Sequence, residues 1–125
     1  MTVPLIHVAL GGAIGAALRY MTGIAILRLT GSGFPLAILT ANIVGSILMG
    51  IFVAAAARYE LAHLGPFVMV GLLGGFTTFS SFSLEAMTLM ERGQLGQAAL
   101  YVALSVGLSI SGLFLGTLLA RAVFA

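Results

Sequence analysis

The sequence predicts an all-α integral membrane protein with four transmembrane helices in a single domain, residues 1–125. The first observation is composition. Hydrophobic residues make up 61% of the chain and charged residues only 6%, with a mean hydropathy of +1.22, whereas soluble domains carry about 25% charged residues. The second observation is length, because a spanning helix needs about 20 apolar residues. The 125 residues therefore hold four such helices joined by short connections.

The first predicted span covers about residues 4–27. Gly12 and Ala16 lie four residues apart, a spacing that lets the backbone of another helix approach closely. Arg19 lies well inside this span, where a charge is unfavourable unless it reaches the membrane surface or finds a partner. Two interpretations stay open for Arg19: an anchor at the interface, or a lining residue of an aqueous vestibule.

The second predicted span covers about residues 35–57, with Pro35 in its first turn after a Thr-Gly-Ser-Gly loop. Its one strongly polar residue is Asn42, and Ser46 follows one turn later on the same face. A lone Asn in a span is often a hydrogen-bond clamp between helices. The alternative is an amide N–H donor that points into a pore, and the pattern leaves both open.

The third predicted span covers about residues 66–90, and we expect it to break near its midpoint. Gly74 and Gly75 each weaken a helix by about 1 kcal/mol relative to Ala. Two threonines and three serines follow by position 83, and their hydroxyls compete for backbone groups. Broken helices are tolerated at that depth only where protein buries them or where they line a cavity. The freed backbone groups can then bind ions.

The fourth predicted span covers about residues 95–123 and carries one stripe of small and polar side chains. The stripe follows spacings of four and three, and its members are Tyr101, Ser105, Ser109, Gly112 and Gly116. One interpretation is tight helix packing, with the serines bonded back to their own helix. The other is a column of hydroxyl donors along a path, and the stripe alone does not decide between them.

Charged residues exclude several classes of function. Five arginines without lysine are too few and too scattered for a nucleic-acid surface, and the absence of cysteine excludes disulfides and thiolate sites. No spacing joins His7, His63 and the three glutamates into a catalytic triad or a metal site. We therefore expect that the protein is not an enzyme. His63 reads as a surface residue, and Glu85 as either a vestibule carboxylate or the partner of an arginine.

Arginine placement favours neither orientation in the membrane. Arg58 and Arg121 fall on one predicted side, Arg28 and Arg92 on the other, and Arg19 is a possible third. A protein without a preferred orientation can insert both ways and form an antiparallel dimer. Four helices are also too few to enclose a wide lumen, so we expect an oligomer with an isologous interface.

The polar groups within the predicted spans suit a small, strongly hydrated anion. They are amide and hydroxyl donors, supplemented by phenylalanine ring edges, which carry positive charge. A bulky organic cation would favour carboxylates and ring faces. The main alternative is a four-span proton-coupled multidrug exporter, but such proteins depend on a glutamate deep in the first span, and here that span has no carboxylate.

Three motifs in order resemble the CrcB/Fluc family of fluoride channels. They are Gly-Gly-Ala-Ile-Gly-Ala at 11–16 leading to Arg19, Thr-Ala-Asn-Ile-Val-Gly-Ser at 40–46, and Gly-Gly-Phe-Thr-Thr-Phe-Ser-Ser-Phe-Ser at 74–83. The resemblance covers essentially the whole chain. It implies passive export of toxic fluoride through a microbial cell membrane, by an antiparallel dual-topology homodimer with two pores.

The resemblance also implies roles for individual residues. Asn42 would be the pore amide, and Phe79 and Phe82 the rings whose edges contact fluoride. Arg19 would attract anions at an entrance. A structural Na⁺ at the dimer axis would be held by the backbone carbonyls of Gly74 and Thr77. The other predicted members of the fluoride pathway are hydroxyl donors, namely Thr78, Ser81, Tyr101, Ser105 and Ser109.

Overall fold

A computed structural model describes residues 2–31 and 33–124 of the chain, and all of the regular secondary structure in these residues is helical. Four helical stretches are long and apolar enough to cross a membrane, so the chain is a multi-pass membrane protein, and the predicted all-α class with four spans is confirmed. The elements are α1 (Thr2–Thr30), α2 (Leu36–Tyr59), a 3-10 turn (Ala62–Leu64), a π-helix (Pro66–Leu73), α3 (Gly74–Phe76), α4 (Ser80–Glu91) and α5 (Leu95–Phe124).

Local sequence signals mark the ends of these helices. Pro35 directly precedes α2, where its missing N–H costs nothing. Glu60 ends α2 in the left-handed conformation, with φ of 56°, and its N–H donates to the Ala56 carbonyl. Gly93 adopts φ of 77° after α4, as the charged residues and glycine at positions 91–93 predict.

The third span, Ala62–Glu91, does not keep α-helical hydrogen bonding along its length. It begins with the wider π-helix, continues as the short α3, and resumes as α4 after an interruption at Thr77, Thr78 and Phe79. Thr77 has φ of −90° and ψ of 160°, which is extended backbone. Gly74 itself is still helical, with φ of −63° and ψ of −36°. The chain therefore leaves the helix after the glycine pair, at the first threonine.

Glycines bring the backbones of neighbouring helices into contact. A Cβ atom added to Gly71 would lie 2.8 Å from the Val8 carbonyl oxygen, and one added to Gly75 would lie 2.8 Å from that of Gly12. The first half of the third span therefore packs directly on α1. A Cβ atom on Gly50 would collide with the Leu113 carbonyl oxygen in the same way. The second close helix pair is thus α2 with α5.

The largest buried side chains join α2, α4 and α5. Tyr101 is fully buried, and the loop residue Phe34 packs against it. Most other large apolar side chains are exposed on the outside of the bundle, as a lipid-facing surface requires. The buried members of this core are Leu39, Phe82, Ala86, Leu89, Ala98 and Tyr101.

Candidate functional site: a polar groove beside the interrupted span

A groove of about 490 Å³ runs between α2, α5 and the interruption of the third span. It gathers six of the predicted pathway residues and both predicted carbonyl ligands, although they come from three separate parts of the sequence. Its remaining wall consists of three further residues of α2 and three apolar side chains of α5. The lining residues are Asn42, Gly45, Ser46, Met49, Gly74, Thr77, Thr78, Phe79, Phe82, Ser105, Val106, Ser109, Ile110 and Leu113.

Asn42 of α2 binds the backbone of the interruption at both ends of its side-chain amide. Its Oδ1 accepts the Thr78 N–H at 2.8 Å, and its Nδ2 donates to the Thr78 carbonyl at 3.0 Å. This is the interhelical clamp, one of the two interpretations that the sequence left open. The clamp uses one of the two amide hydrogens. Asn42 also lines the groove, so the clamp does not remove it from the candidate site.

The backbone carbonyl oxygens of Gly74, Gly75, Phe76 and Thr77 lose their helical donors at the interruption. In a continuous α-helix the Thr78 N–H would donate to the Gly74 carbonyl, and the Ser81 N–H to the Thr77 carbonyl. Here the first N–H donates to Asn42, and the second donates to Thr78 Oγ1 at 3.2 Å. The carbonyls of Gly74 and Thr77 are therefore released from the helical ladder. They are the two that the resemblance implies as cation ligands.

Arg19 of α1 reaches the same segment from the other side. Its Nε donates to the Gly75 carbonyl at 3.1 Å, and the side chain is half-buried. Gly75 lies near the carboxyl end of the first half of the third span, where carbonyl groups carry partial negative charge and attract a cation. Arg19 is not among the residues that line the groove. The structure thus gives it a specific backbone partner within the chain.

Aromatic rings form a row from the groove towards the loop before α2. Phe79 is 76% exposed, whereas Phe82 is only 8% exposed, and their ring centroids are 5.4 Å apart. Phe82 lies 5.3 Å from Tyr101, which meets Phe34 edge-on at 5.7 Å. Phe34 could not be recognised from the sequence, because a single aromatic residue in a loop has no periodicity that would connect it to α5.

Three hydroxyl groups of α5 are buried without a hydrogen-bond partner in the described part of the chain. They belong to Tyr101, Ser105 and Ser109. Other hydroxyls in the third and fourth spans do bond back to their own helix, such as Thr77 to the Leu73 carbonyl and Thr117 to that of Leu113, both at 2.9 Å. The packing interpretation of the stripe therefore does not account for its serines.

The remaining predicted residues lie around the groove instead of in it. Ser81 contributes its backbone N–H to Thr78, and Tyr101 lies behind Phe82. Glu85 lines a separate cavity of about 260 Å³ at the end of α1, and His63 belongs to the 3-10 turn. Within residues 2–31 and 33–124, no three His, Asp or Glu side chains gather into a metal site.

Several groove residues were not singled out as site residues from the sequence. Ser46 and Met49 share a face of α2 with Asn42, and that spacing was the signal available for them. Three apolar residues of α5 also line the groove. Val106 and Ile110 each directly follow a groove serine, and Leu113 lies one turn further along the helix. Nothing in the sequence distinguishes these three from lipid-facing residues.

Comparison with known proteins identifies the family. Residues 6–117 match the model of the family described as CrcB-like protein, Camphor Resistance (CrcB), so the chain belongs to that family. A "Fluoride-specific ion channel FluC" of Roseobacter denitrificans is 63% identical over 122 residues, covering 96% of this chain and 97% of its own. Proteins of the same name from Ruegeria sp. and Agrobacterium fabrum are 60% and 49% identical, over 98% and 94% of this chain and 98% and 95% of their own.

These relatives confirm the family that the three motifs indicated. Their names describe ion channels, which agrees with the expectation that the chain is not an enzyme. The four apolar helices agree with the same class of protein. The names say nothing of individual residues, so the roles of the groove residues stay predictions.

Proposed function

We propose that this protein is a fluoride-selective channel that lets fluoride leave the cytoplasm passively. The observation that carries the proposal is the pair of buried, unpartnered serine hydroxyls of α5 in the groove. A buried polar group without a partner is unfavourable by about 1–3 kcal/mol. An anion that passes along the groove would supply the missing acceptor. The names of full-length relatives point to fluoride as that anion.

The chemistry of the groove fits an anion better than a cation. Its lining includes an amide, four serine and threonine side chains besides Thr77, and two phenylalanine rings, and it includes no carboxylate. Hydroxyl and amide donors can replace the water molecules around a small anion, and ring edges add positive charge. We therefore propose a pathway lined by Asn42, Thr78, Phe79, Phe82, Ser105 and Ser109, and extended by Ser81 and Tyr101.

We propose that two copies assemble as an antiparallel homodimer with two pores. A single chain leaves the groove open along one side, and polar groups within a bilayer need protein or water against them. A second copy related by a two-fold axis would cover this side with an equivalent surface. The even division of arginines, with Arg58 and Arg121 opposite Arg28 and Arg92, is compatible with insertion in both orientations.

The same assembly would bring the interruption of the third span to the middle of the membrane, at the dimer axis. The carbonyls of Gly74 and Thr77 have lost their helical donors, and hard cations such as Na⁺ prefer oxygen ligands. These carbonyl oxygens suit the ion as ligands, and a two-fold axis would double their number. A bound Na⁺ would supply a fixed positive charge between the two copies. Arg19 adds further positive potential near the site.

Passive efflux from liposomes tests the proposal. Purified protein would be reconstituted in vesicles loaded with fluoride or chloride, and an ion-selective electrode would follow release while valinomycin carries K⁺. We expect rapid fluoride release, little chloride release and no need for a pH gradient. Retained fluoride together with proton-driven uptake of a cationic dye would instead support the multidrug exporter, and Glu85 would be mutated next.

We propose the cell membrane as the location of the protein.

A further inference from the structure

We infer that Asn42 is a positioning residue that holds the third span interrupted and thereby keeps the Gly74 carbonyl oxygen free. The basis is a competition for one proton. The Thr78 N–H can donate either to Gly74, which would continue the helix, or to Asn42 Oδ1, which it does at 2.8 Å. Asn42 belongs to α2, so this contact lets one span set the backbone conformation of another.

The second bond of Asn42 also stabilises the interrupted conformation, because it satisfies the Thr78 carbonyl. The Thr78 carbonyl precedes α4, whose first turn is closed by the bond from the Ser83 N–H to the Phe79 carbonyl. Asn42 Nδ2 donates to the Thr78 carbonyl at 3.0 Å. One side chain therefore satisfies both polar groups of a residue that lies between two helices, and neither group is left exposed to the membrane interior.

Neighbouring contacts hold the interruption on both flanks. Before it, Thr77 donates through its N–H and its Oγ1 to the Leu73 carbonyl, at 3.0 and 2.9 Å, and Arg19 binds the Gly75 carbonyl. After it, Thr78 Oγ1 accepts the Ser81 N–H. These bonds fix the ends of the segment. The Asn42 bond is the one that decides whether its middle is extended or helical.

One consequence rests on the proposed function. If Gly74 and Thr77 hold Na⁺, Asn42 links the groove to the cation site, because its Oδ1 keeps the Thr78 N–H away from Gly74. Its second amide hydrogen takes no part in the two bonds to Thr78. Loss of the Asn42 acceptor would return the Thr78 N–H to Gly74 and remove one ligand from the cation.

Two variants separate the acceptor from the rest of the side chain. Asn42→Asp keeps an acceptor for the Thr78 N–H whether or not the carboxyl is protonated. Asn42→Leu keeps nearly the same shape but has neither acceptor nor donor. Ser46→Ala, one turn along the same groove face, is the control for backbone conformation, because Ser46 has no part in the Asn42–Thr78 bonds. Isotope-labelled full-length protein in lipid bilayers would be studied by solid-state NMR.

In the wild-type protein we expect a correlation between the Thr78 N–H and the Asn42 Cγ across their hydrogen bond. Thr77 should show extended backbone shifts in the wild type, Asn42→Asp and Ser46→Ala, and helical shifts in Asn42→Leu. The half-maximal Na⁺ concentration for thermal stabilisation should rise about 10- to 100-fold in Asn42→Leu alone, as for other residues that orient metal ligands.

Several results would overturn the inference. One is a folded Asn42→Leu protein whose Thr77 stays extended, and another is an Asn42→Asp protein whose Thr77 becomes helical. If Asn42→Leu does not fold, the wild-type protein still provides a test. Absence of the correlation between the Thr78 N–H and the Asn42 Cγ would show that the hydrogen bond does not form. The backbone readout does not depend on conduction, so a wild-type protein without fluoride flux would reject the proposed function and leave this test intact. Unchanged Na⁺ dependence in a helical variant would reject only the link to the cation.

Discussion

The two halves of the stripe on α5 share one sequence pattern but meet different surroundings. In the packing half, Gly112 and Gly116 lie against the backbone and side chain of α2, and the adjacent Thr117 donates to the carbonyls of Leu113 and Gly50. In the groove half, Ser105 and Ser109 line the groove and Tyr101 lies behind Phe82, and their buried hydroxyls have no partner in the described part of the chain. The packing half is closed and hydrogen-bonded, whereas the groove half borders a cavity and its hydroxyls are unsatisfied.

The difference shows that the opposing surface, and not the spacing, decides what such a stripe does. Opposite the packing half, α2 offers Gly50, so the helix backbones touch and carbonyl acceptors come within reach. Opposite the groove half, the interrupted span and Asn42 hold a gap open. A hydroxyl group in the first half therefore stabilises the fold, and one in the second half is available to a ligand.

The largest effect is expected at the packing half, from Gly50→Val. A Cβ atom there would collide with the Leu113 carbonyl and lie 2.9 Å from the Thr117 backbone nitrogen. Overpacking of a tight interior typically costs about 1–3 kcal/mol, and more where backbone must move. We expect loss of the monodisperse protein in size-exclusion chromatography, or a clear fall in its thermal transition temperature, and fluoride flux should fall with it.

Gly107→Ala is the matched control for this variant. Gly107 lies on α5, but a Cβ atom there would meet nothing within 4 Å. Alanine is favoured over glycine in a helix by about 1 kcal/mol, so the thermal transition should stay or rise. A well-folded Gly50→Val protein with normal flux would show that α2 and α5 do not pack through their glycines.

Much of the fold could be predicted from the sequence because composition and spacing act locally. Apolar length set the four spans, and Pro35 and Gly93 marked helix ends where their backbone preferences apply. The glycines and hydroxyls at 74–83 predicted a weak helix in the third span. They did not predict the position of the departure, because Thr77 leaves the helix only where Asn42 from another span accepts the next N–H.

The candidate site was predicted as a set of residues but not as an arrangement. Each donor could be found by residue type and face. Whether Asn42 is a clamp or a pore residue depends on Thr78, which lies 36 residues away in sequence. Whether Arg19 is an anchor or a vestibule residue depends likewise on Gly75, 56 residues away. Such pairings are properties of the folded chain. The same holds for the stripe, because its spacing does not show which parts of α2 and the third span lie opposite each half.

The next effect is expected at the groove half, from the double variant Ser105→Ala and Ser109→Ala. A hydrogen bond to a charged group contributes about 1.5–3 kcal/mol, and 1.4 kcal/mol is a factor of ten in rate. We expect fluoride efflux from liposomes to fall by about a hundredfold or more. Thermal stability should not fall, because these hydroxyls make no hydrogen bond within the chain. Normal efflux with lowered stability would show that these serines contribute to helix packing and not to the fluoride pathway.

A smaller loss of flux is expected from Phe79→Ile. The ring is 76% exposed in the single chain, and its nearest aromatic neighbour is Phe82 at 5.4 Å. Isoleucine keeps apolar volume but removes the ring edge that can face an anion. Fluoride efflux should fall by about tenfold, which corresponds to roughly 1.4 kcal/mol at the ion, while size-exclusion chromatography with light scattering still detects the dimer. A dimeric Phe79→Ile protein with normal efflux would reject the proposed pathway.

The smallest effect is expected from Thr117→Val, which returns to the packing half with a change of nearly constant shape. The substitution removes the bonds from Thr117 Oγ1 to the Leu113 carbonyl at 2.9 Å and to the Gly50 carbonyl at 3.3 Å. Such bonds contribute about 1 kcal/mol in net terms, so a small drop in thermal transition temperature should follow, with fluoride efflux unchanged. Thr117 and Ser109 lie two helical turns apart on the same helix. Reduced efflux from the threonine variant at normal stability would therefore mean that the pathway continues past Leu113, and that the boundary between the two halves lies closer to the end of α5.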